Sequence, residues 1–259
     1  MRRALDDDAS AAALVFEGAR DGLVIHVRSE AGWARAVELT RAASAAGIAP
    51  IGLVSAGAPS PRDLAELVRA GARELGLALH GARREVHDWH VGSDGAFAQT
   101  LEGIGAARAL GMDVGVTTEV TRSNARVLSE LPSLLRASGV TLWALRPAVA
   151  RREPFTATVP RLGLGVPPML AALERATRLG LVVRTSGFPA CVLGPFARTA
   201  LPSRARHHGG VCQACAARPS CPGVDGAYLE RFGEGELRAL DAAVRADPAT
   251  SLATLFEER

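Results

Sequence analysis

Four residues of this 259-residue chain have the type and spacing to build a reactive centre: Cys191, Cys212, Cys215 and Cys221. They are its whole complement of cysteine. Cys212 and Cys215 form a Cys-x2-Cys turn, which can bring two thiolates to one metal. Cys221, followed by Pro222-Gly223, and Cys191 from a separate loop can complete a tetrahedral set. Four thiolates suit either a structural zinc ion or an iron–sulfur cluster. The single knuckle, the irregular remaining spacing and the proline after the last cysteine lean towards iron–sulfur. A thioredoxin-type pair would open a helix directly after a strand, which is not the setting here. Disulfides do not suit a cytoplasmic chain. His207-His208, beside Gly209-Gly210, adds two imidazoles, but the thiols are the expected ligands.

Other polar groups gather in the middle of the chain. His80 precedes Gly81 at a strand end, where a backbone-bonded imidazole that simply closes the strand accounts for it. His87, Asp88 and His90 fall within four residues in what reads as a solvated polar loop. Asn124, the chain's one asparagine, is suited to cap a following helix.

The elements that must position these groups alternate regularly. Short apolar runs at 23–27, 51–54, 75–79, 114–118, 140–145 and 181–184 read as strands. Amphipathic stretches at 30–46, 96–110 and about 168–179 read as helices between them. Others begin at Ser60-Pro61, where proline sits in the first turn, and after Asn124. Such alternation predicts parallel βαβ units, arranged as an open doubly wound sheet or as an arc of a (β/α) barrel. In both, ligands bind at the C-terminal strand ends, which points to His80, to residues 117–124 and to Arg146. Residues 187–224 break the pattern, being dense in Gly, Pro, Arg and Cys, so a metal is expected to order them. A final helix is expected over 234–246.

Composition excludes several classes. With 48% hydrophobic residues the chain can bury a sizeable core, and no apolar run is long enough to span a membrane. The apolar stretch 11–16 is too short for a signal core, so a cytoplasmic protein is expected. All 30 basic residues are arginine, set against 27 acidic ones, with no basic run longer than two. That scatter fits a solvated surface rather than a nucleic-acid face.

Taken in order, these segments resemble a radical S-adenosylmethionine (radical SAM) protein with a C-terminal auxiliary cluster domain of the SPASM/twitch kind. The resemblance rests on LALHG at 77–81, VHD at 86–88, GSDGAF at 92–97, TTEVTRSN at 117–124, FPAC at 188–191, and the later cysteines followed by Tyr228-Leu229 and Phe232-Gly233. It spans roughly residues 20–240. It implies a partial (β/α) barrel of about six parallel βα units over 1–185, a Cys-rich cluster-binding region over 186–235, and a C-terminal helix and tail over 236–259. Cys191, Cys212, Cys215 and Cys221 then hold one auxiliary [4Fe–4S] cluster, with zinc as the alternative. Thr117, Arg122 and Asn124 fall at family positions near the adenosyl ligand.

Two parts of the family pattern are missing. No Cys-x3-Cys-x2-Cys loop exists, since no cysteine precedes Cys191. In place of the Gly-Gly-Glu-Pro turn, the chain reads Arg28-Ser29-Glu30-Ala31-Gly32 after 23–27. That alignment makes 23–27 the family's second strand and 11–18 the helix before it, with the first strand lost ahead of Met1. The chain is therefore expected not to cleave S-adenosylmethionine alone, and to serve as a partner of a radical SAM enzyme, an electron relay or a peptide-binding subunit. The alternatives are an active enzyme that has lost its N-terminal strand and loop, and a zinc-stabilised binding module.

Overall fold

The structure, a computed structural model, describes residues 3–6, 22–149, 155–202 and 207–257. Seven parallel strands form one sheet in strict chain order. They are β1 (Arg3–Asp6), β2 (Leu23–Val27), β3 (Ile51–Ser55), β4 (Glu74–Ala78), β5 (Asp113–Val120), β6 (Leu142–Pro147) and β7 (Val182–Thr185). Between them lie α1 (Gly32–Ala45), α2 (Pro61–Ala70), α3 (Arg84–Val91), α4 (Ala96–Ala109), α5 (Leu131–Ala137), α6 (Phe155–Thr158) and α7 (Leu162–Arg178). Two short helices, α8 (Ala190–Leu193) and α9 (Gly226–Phe232), follow β7.

Strand side chains sort by alternation, as a period of two demands. Leu23, Ile25, Leu53, Leu75, Leu77, Val114, Val116, Trp143 and Leu145 join one large core with Trp33, Leu39, Leu64, Leu67, Ile104, Leu135 and Met169 of the helices. The intervening positions face the other way. There Val24, Leu142 and Ala144 pack with Leu201, Leu252, Ala253, Leu255 and Phe256 of the tail. Helices on one face and sequential strand order settle the choice between the two expected topologies: this is a partial (β/α) barrel. The outer layer is also cross-linked by polar groups. Trp143 Nε1 donates to Thr118 Oγ1 at 2.9 Å, and that hydroxyl donates to the Leu79 carbonyl at 2.6 Å. The indole is thus buried with its one donor satisfied.

The inner face is filled by the C-terminus. A Cβ on Gly115 would lie 2.7 Å from the Phe256 ring, and one on Gly76 would lie 3.0 Å from it. Glycine at these strand positions is what admits the ring. Arg184, buried on β7, donates to the Pro248 carbonyl at 2.8 Å and so fixes the approach of the tail.

The sheet bears out the expected partial barrel of about six βα units, with seven strands among the described residues. Other sequence expectations are corrected. A strand not read from the sequence, β1, pairs in parallel with β2 from Arg3↔Leu23 to Asp6↔His26. Its short RALD run gave no apolar signal. The helix expected at 11–18 lies outside the described residues. Residues 84–91, expected as a loop, are α3, and α7 begins at Leu162, six residues before the expected start. Residues 234–246 form no helix, and the tail contributes only a short 3-10 turn, Leu252–Phe256. That turn is bound to the sheet interior, so the tail folds by tertiary burial, with no amphipathic face of its own. Among the described residues, no helix is long and apolar enough to cross a membrane.

Candidate functional site

Two neighbouring constellations stand at the C-terminal strand ends, the ligand-binding edge of such barrels. The first lies at the ends of β4, β5 and β6. Glu119 and Arg146 are register partners on β5 and β6, and Arg146 donates to the Glu119 carboxylate at 2.6 Å. His80, just past β4, stacks between the imidazoles of His87 and His90, with ring centroids 5.8 and 5.3 Å away. His87 Nδ1 accepts the His80 backbone N–H at 3.1 Å. His90 Nδ1 lies 2.6 Å from the Val86 carbonyl, and its Nε2 lies 2.8 Å from Thr121 Oγ1. His80 Nδ1 is buried without a partner. Burial, followed by the nearby His90, His87 and Arg146, pushes the His80 imidazole down to about 3, so it is neutral at ordinary pH. Burial likewise lowers His87.

Asp88 belongs to α3 and acts structurally. Its oxygens accept the Gly95 and Phe97 amides at 2.8 and 2.7 Å, bracing the start of α4. Burial pushes its carboxyl up, but those two amide bonds outweigh it and hold the group below the usual range.

The sequence-predicted ligand contacts differ in kind. Thr117 is buried on the inner face of β5, paired with Ala78 and Ala144. Arg122 is exposed and donates to the Thr156 carbonyl at 2.9 Å. Asn124 is fully buried. Its Oδ1 accepts the Thr121 N–H at 2.8 Å, and its Nδ2 donates to the carbonyls of His80 and Glu119 at 3.0 and 2.7 Å. It makes no side-chain helix cap, contrary to the sequence expectation. Both amide hydrogens are spent tying the end of β5 to the end of β4, so Asn124 shapes this edge rather than reaching outward.

The second constellation is the cysteine cavity. Cys191, Cys212, Cys215 and Cys221 all line one small cavity, together with His208 and Arg238. Cys191 comes from α8, Cys212 from the turn Gly210–Ala214, and Cys215 and Cys221 from the loops after it. Cys221 Sγ accepts the Ala190 and Gly223 amides at 3.3 and 3.4 Å, and Cys215 Sγ accepts the Leu240 amide at 3.3 Å. Such amide bonds favour the anionic sulfur of a thiolate ligand. Burial pushes the Cys191 and Cys212 thiols up. Among the described residues, no group of three or more His, Cys, Asp or Glu is drawn together closely enough to hold an ion by itself. The donor set fits a thiolate-bound centre in its chemistry: four thiols border one space, and those of Cys215 and Cys221 accept backbone amides.

Between these constellations lies a small apolar pocket, walled by Val120, Pro147, Leu162, Phe188, Val224 and Tyr228, with Arg161 and Asp225 as its charged lining. Val224 is also a wall of the cysteine cavity.

Sequence reasoning passed over the acidic residues that fasten this region to the barrel. Glu236 accepts the Gly163 amide at 2.8 Å and the Tyr228 hydroxyl, while the Tyr228 oxygen accepts the Leu162 amide at 2.8 Å. The start of α7 is thereby capped from a segment over 60 residues away. Glu234 accepts the Gly210 amide at the head of the Cys212 turn. A carboxylate that caps from so far off leaves no local spacing signal. Glu119 and Arg146 lie at strand ends to which the sequence already pointed, and the two-residue alternation of β5 and β6 puts them on the inner face.

No protein-family model matches the chain. Over 84 residues it is 27% identical to the AdoMet-dependent heme synthase of Nitratidesulfovibrio vulgaris, covering 32% of this chain and 23% of that protein. Over 82 residues it is 27% identical to the enzyme of the same name from Oleidesulfovibrio alaskensis, covering 32% and 21%. The chain thus matches less than a quarter of the length of these curated relatives. The solved structure of Streptococcus suis SuiB bound to S-adenosylmethionine superposes with a TM-score of 0.52 at 11% identity, covering 66% of this chain and 41% of that one. Methylornithine synthase (PylB) superposes with a TM-score of 0.52 at 13% identity, covering 84% and 68%. The likeness to solved structures is one of fold, and with the curated matches it supports a relationship to the radical SAM superfamily.

Proposed function

We propose that the chain is a radical SAM-like protein that holds one auxiliary [4Fe–4S] cluster on Cys191, Cys212, Cys215 and Cys221 and does not cleave S-adenosylmethionine alone. The observation that carries this reading is the meeting of four thiols from separate segments around one cavity. The absence of cysteine between β1 and β2, residues 7–22, supports the second half of the reading.

A bound [4Fe–4S] cluster supplies one-electron transfer. Around it, this chain's residues have defined tasks. The amides of Ala190, Gly223 and Leu240 stabilise thiolate charge on Cys221 and Cys215. The apolar pocket excludes water and receives the apolar part of a ligand, oriented by Arg161 and Asp225. Val224 is the partition between ligand and cluster. In this reading the ligand is a peptide, and the protein acts in the cytoplasm as an electron relay, a peptide-binding subunit or a partner to a radical SAM enzyme. Thr117 and Arg122 would lie near any adenosyl group, with Asn124 holding the strand ends that shape its site.

Anaerobic purification followed by visible absorbance and by iron, sulfide and zinc analysis tests the reading. A brown protein with iron and sulfide in equal amounts, lost in Cys215→Ser, is the expected result. A colourless protein carrying one zinc would replace the cluster with the zinc-stabilised module.

A further inference from the structure

The cysteine cavity has a fifth polar wall that the thiols do not explain. His208 borders it, and the ring Nε2 is buried with no hydrogen-bond partner. A polar ring atom left in that state is destabilising unless a partner completes it. The ring is also held in place from both sides. His207 and Val224 exchange backbone hydrogen bonds at 3.0 Å, which ties this segment to the loop that follows Cys221. On the other side, Glu234 holds the Gly210 amide at the entry to the Cys212 turn.

Backbone amides already serve the sulfurs: Cys221 accepts those of Ala190 and Gly223, and Cys215 accepts that of Leu240. Backbone hydrogen bonds also act on Cys191 and Cys212, against the burial that raises both thiols. The His208 ring nitrogen is the polar atom of this lining that is left buried without a partner among the described residues.

We infer that His208 is a positioning and tuning residue of the metal centre, donating its Nε2–H to a sulfur of the centre that the four thiols hold. This rests on the four-thiolate reading above. A hydrogen bond to cluster sulfur withdraws negative charge from the sulfur and raises the reduction potential. No bond is made or broken and no other reactant is needed.

The test compares His208→Phe and His208→Gln with the unaltered protein, each purified anaerobically. Phe keeps the bulk of the ring without a donor, and Gln keeps an N–H donor. Iron and sulfide content, the reduction potential from a spectroelectrochemical titration, and the nitrogen couplings of the reduced cluster are measured. Expected are unchanged iron and sulfide in all three, a more negative potential in His208→Phe, a partial return in His208→Gln, and a weak histidine nitrogen coupling that disappears in His208→Phe. An unchanged potential in His208→Phe overturns the inference and leaves the four-thiolate reading standing. A strong nitrogen coupling, which would make His208 a direct ligand in place of one cysteine, overturns the inference and the four-thiolate reading together. A protein that binds no iron or sulfide defeats the four-thiolate reading itself, and this inference with it.

Discussion

The barrel and the cysteine-bearing segment after β7 are built from opposite resources. The barrel has seven paired strands, with apolar side chains on the helix-facing side and a tail filling the interior. The segment has turns and two short helices, held by single hydrogen bonds from Glu234, Glu236 and Arg238. Yet it is not a separate body. Phe188, Leu193, Ala197, Ala217 and Val224 belong to the same core as the strands. The expectation that only a metal orders this segment is therefore softened: the barrel surface supplies an apolar bed, and the thiols face the cavity above it. The contrast teaches where each region is vulnerable. One fails through packing, the other through loss of a few polar ties.

Removing the central indole gives the largest effect. Trp143→Ala empties a fully buried site and leaves the Thr118 hydroxyl without its donor, which costs about 4 kcal/mol. Denaturant unfolding should show this loss, and protease sensitivity should rise in the cysteine segment as well, because the core is shared. Selective protection of that segment would break the proposed dependence.

Proton linkage separates the two regions by the sign of their pH response. The His80 imidazole titrates near 3 in the folded chain and near about 6.5 when unfolded. Its contribution is complete above about pH 6.5 and is lost as pH falls towards 3, at no more than about 1.4 kcal/mol per pH unit. His87 shifts in the same direction. The Cys191 and Cys212 thiols are raised, so metal-free protein should instead lose stability as pH rises above about 8.5. Stability curves of metal-free protein, with His80→Phe flattening only the acid limb, check both signs.

The smallest effect falls on the ties. Glu236→Ala removes the acceptor for the Gly163 amide and the Tyr228 hydroxyl, a change of about 1 kcal/mol. Faster hydrogen exchange at Leu162, Gly163 and the segment around Tyr228, with a nearly unmoved barrel midpoint, is the expected outcome. A barrel that unfolds globally at the same lower denaturant would show that the regions cannot be uncoupled.

Legibility followed the range of the forces. Strands β2 to β7 were visible because a covered parallel sheet demands short apolar runs, and α2 because Ser60 and Pro61 mark its start locally, with Ser60 Oγ accepting the Asp63 amide at 3.2 Å. β1 was invisible because RALD has no such run and forms by pairing with β2. α3 was misread because polar residues dominate it, while burial of His87 and Asp88 makes it a packed helix. The tail was misread because Leu237, Leu240 and Val244 pack against the main core without forming a helix, and Leu252–Phe256 is held by the sheet interior. At the candidate site the cysteines were plain from identity and spacing, whereas Glu119, Arg146, Glu234 and Glu236 act through neighbours distant in the chain.

The amino-acid sequence by itself determined that this protein alternates strands and helices, that its thiols all lie late, and that no cysteine of the given sequence precedes Cys191. Residue identity and local periodicity suffice for each of those. Only the tertiary structure decided that the sheet is a barrel arc plugged by its own C-terminus, that Asn124 spends its amide on strand ends, and that four thiols and His208 border one cavity. These depend on which side chains long-range burial brings together, and no spacing along the chain encodes that.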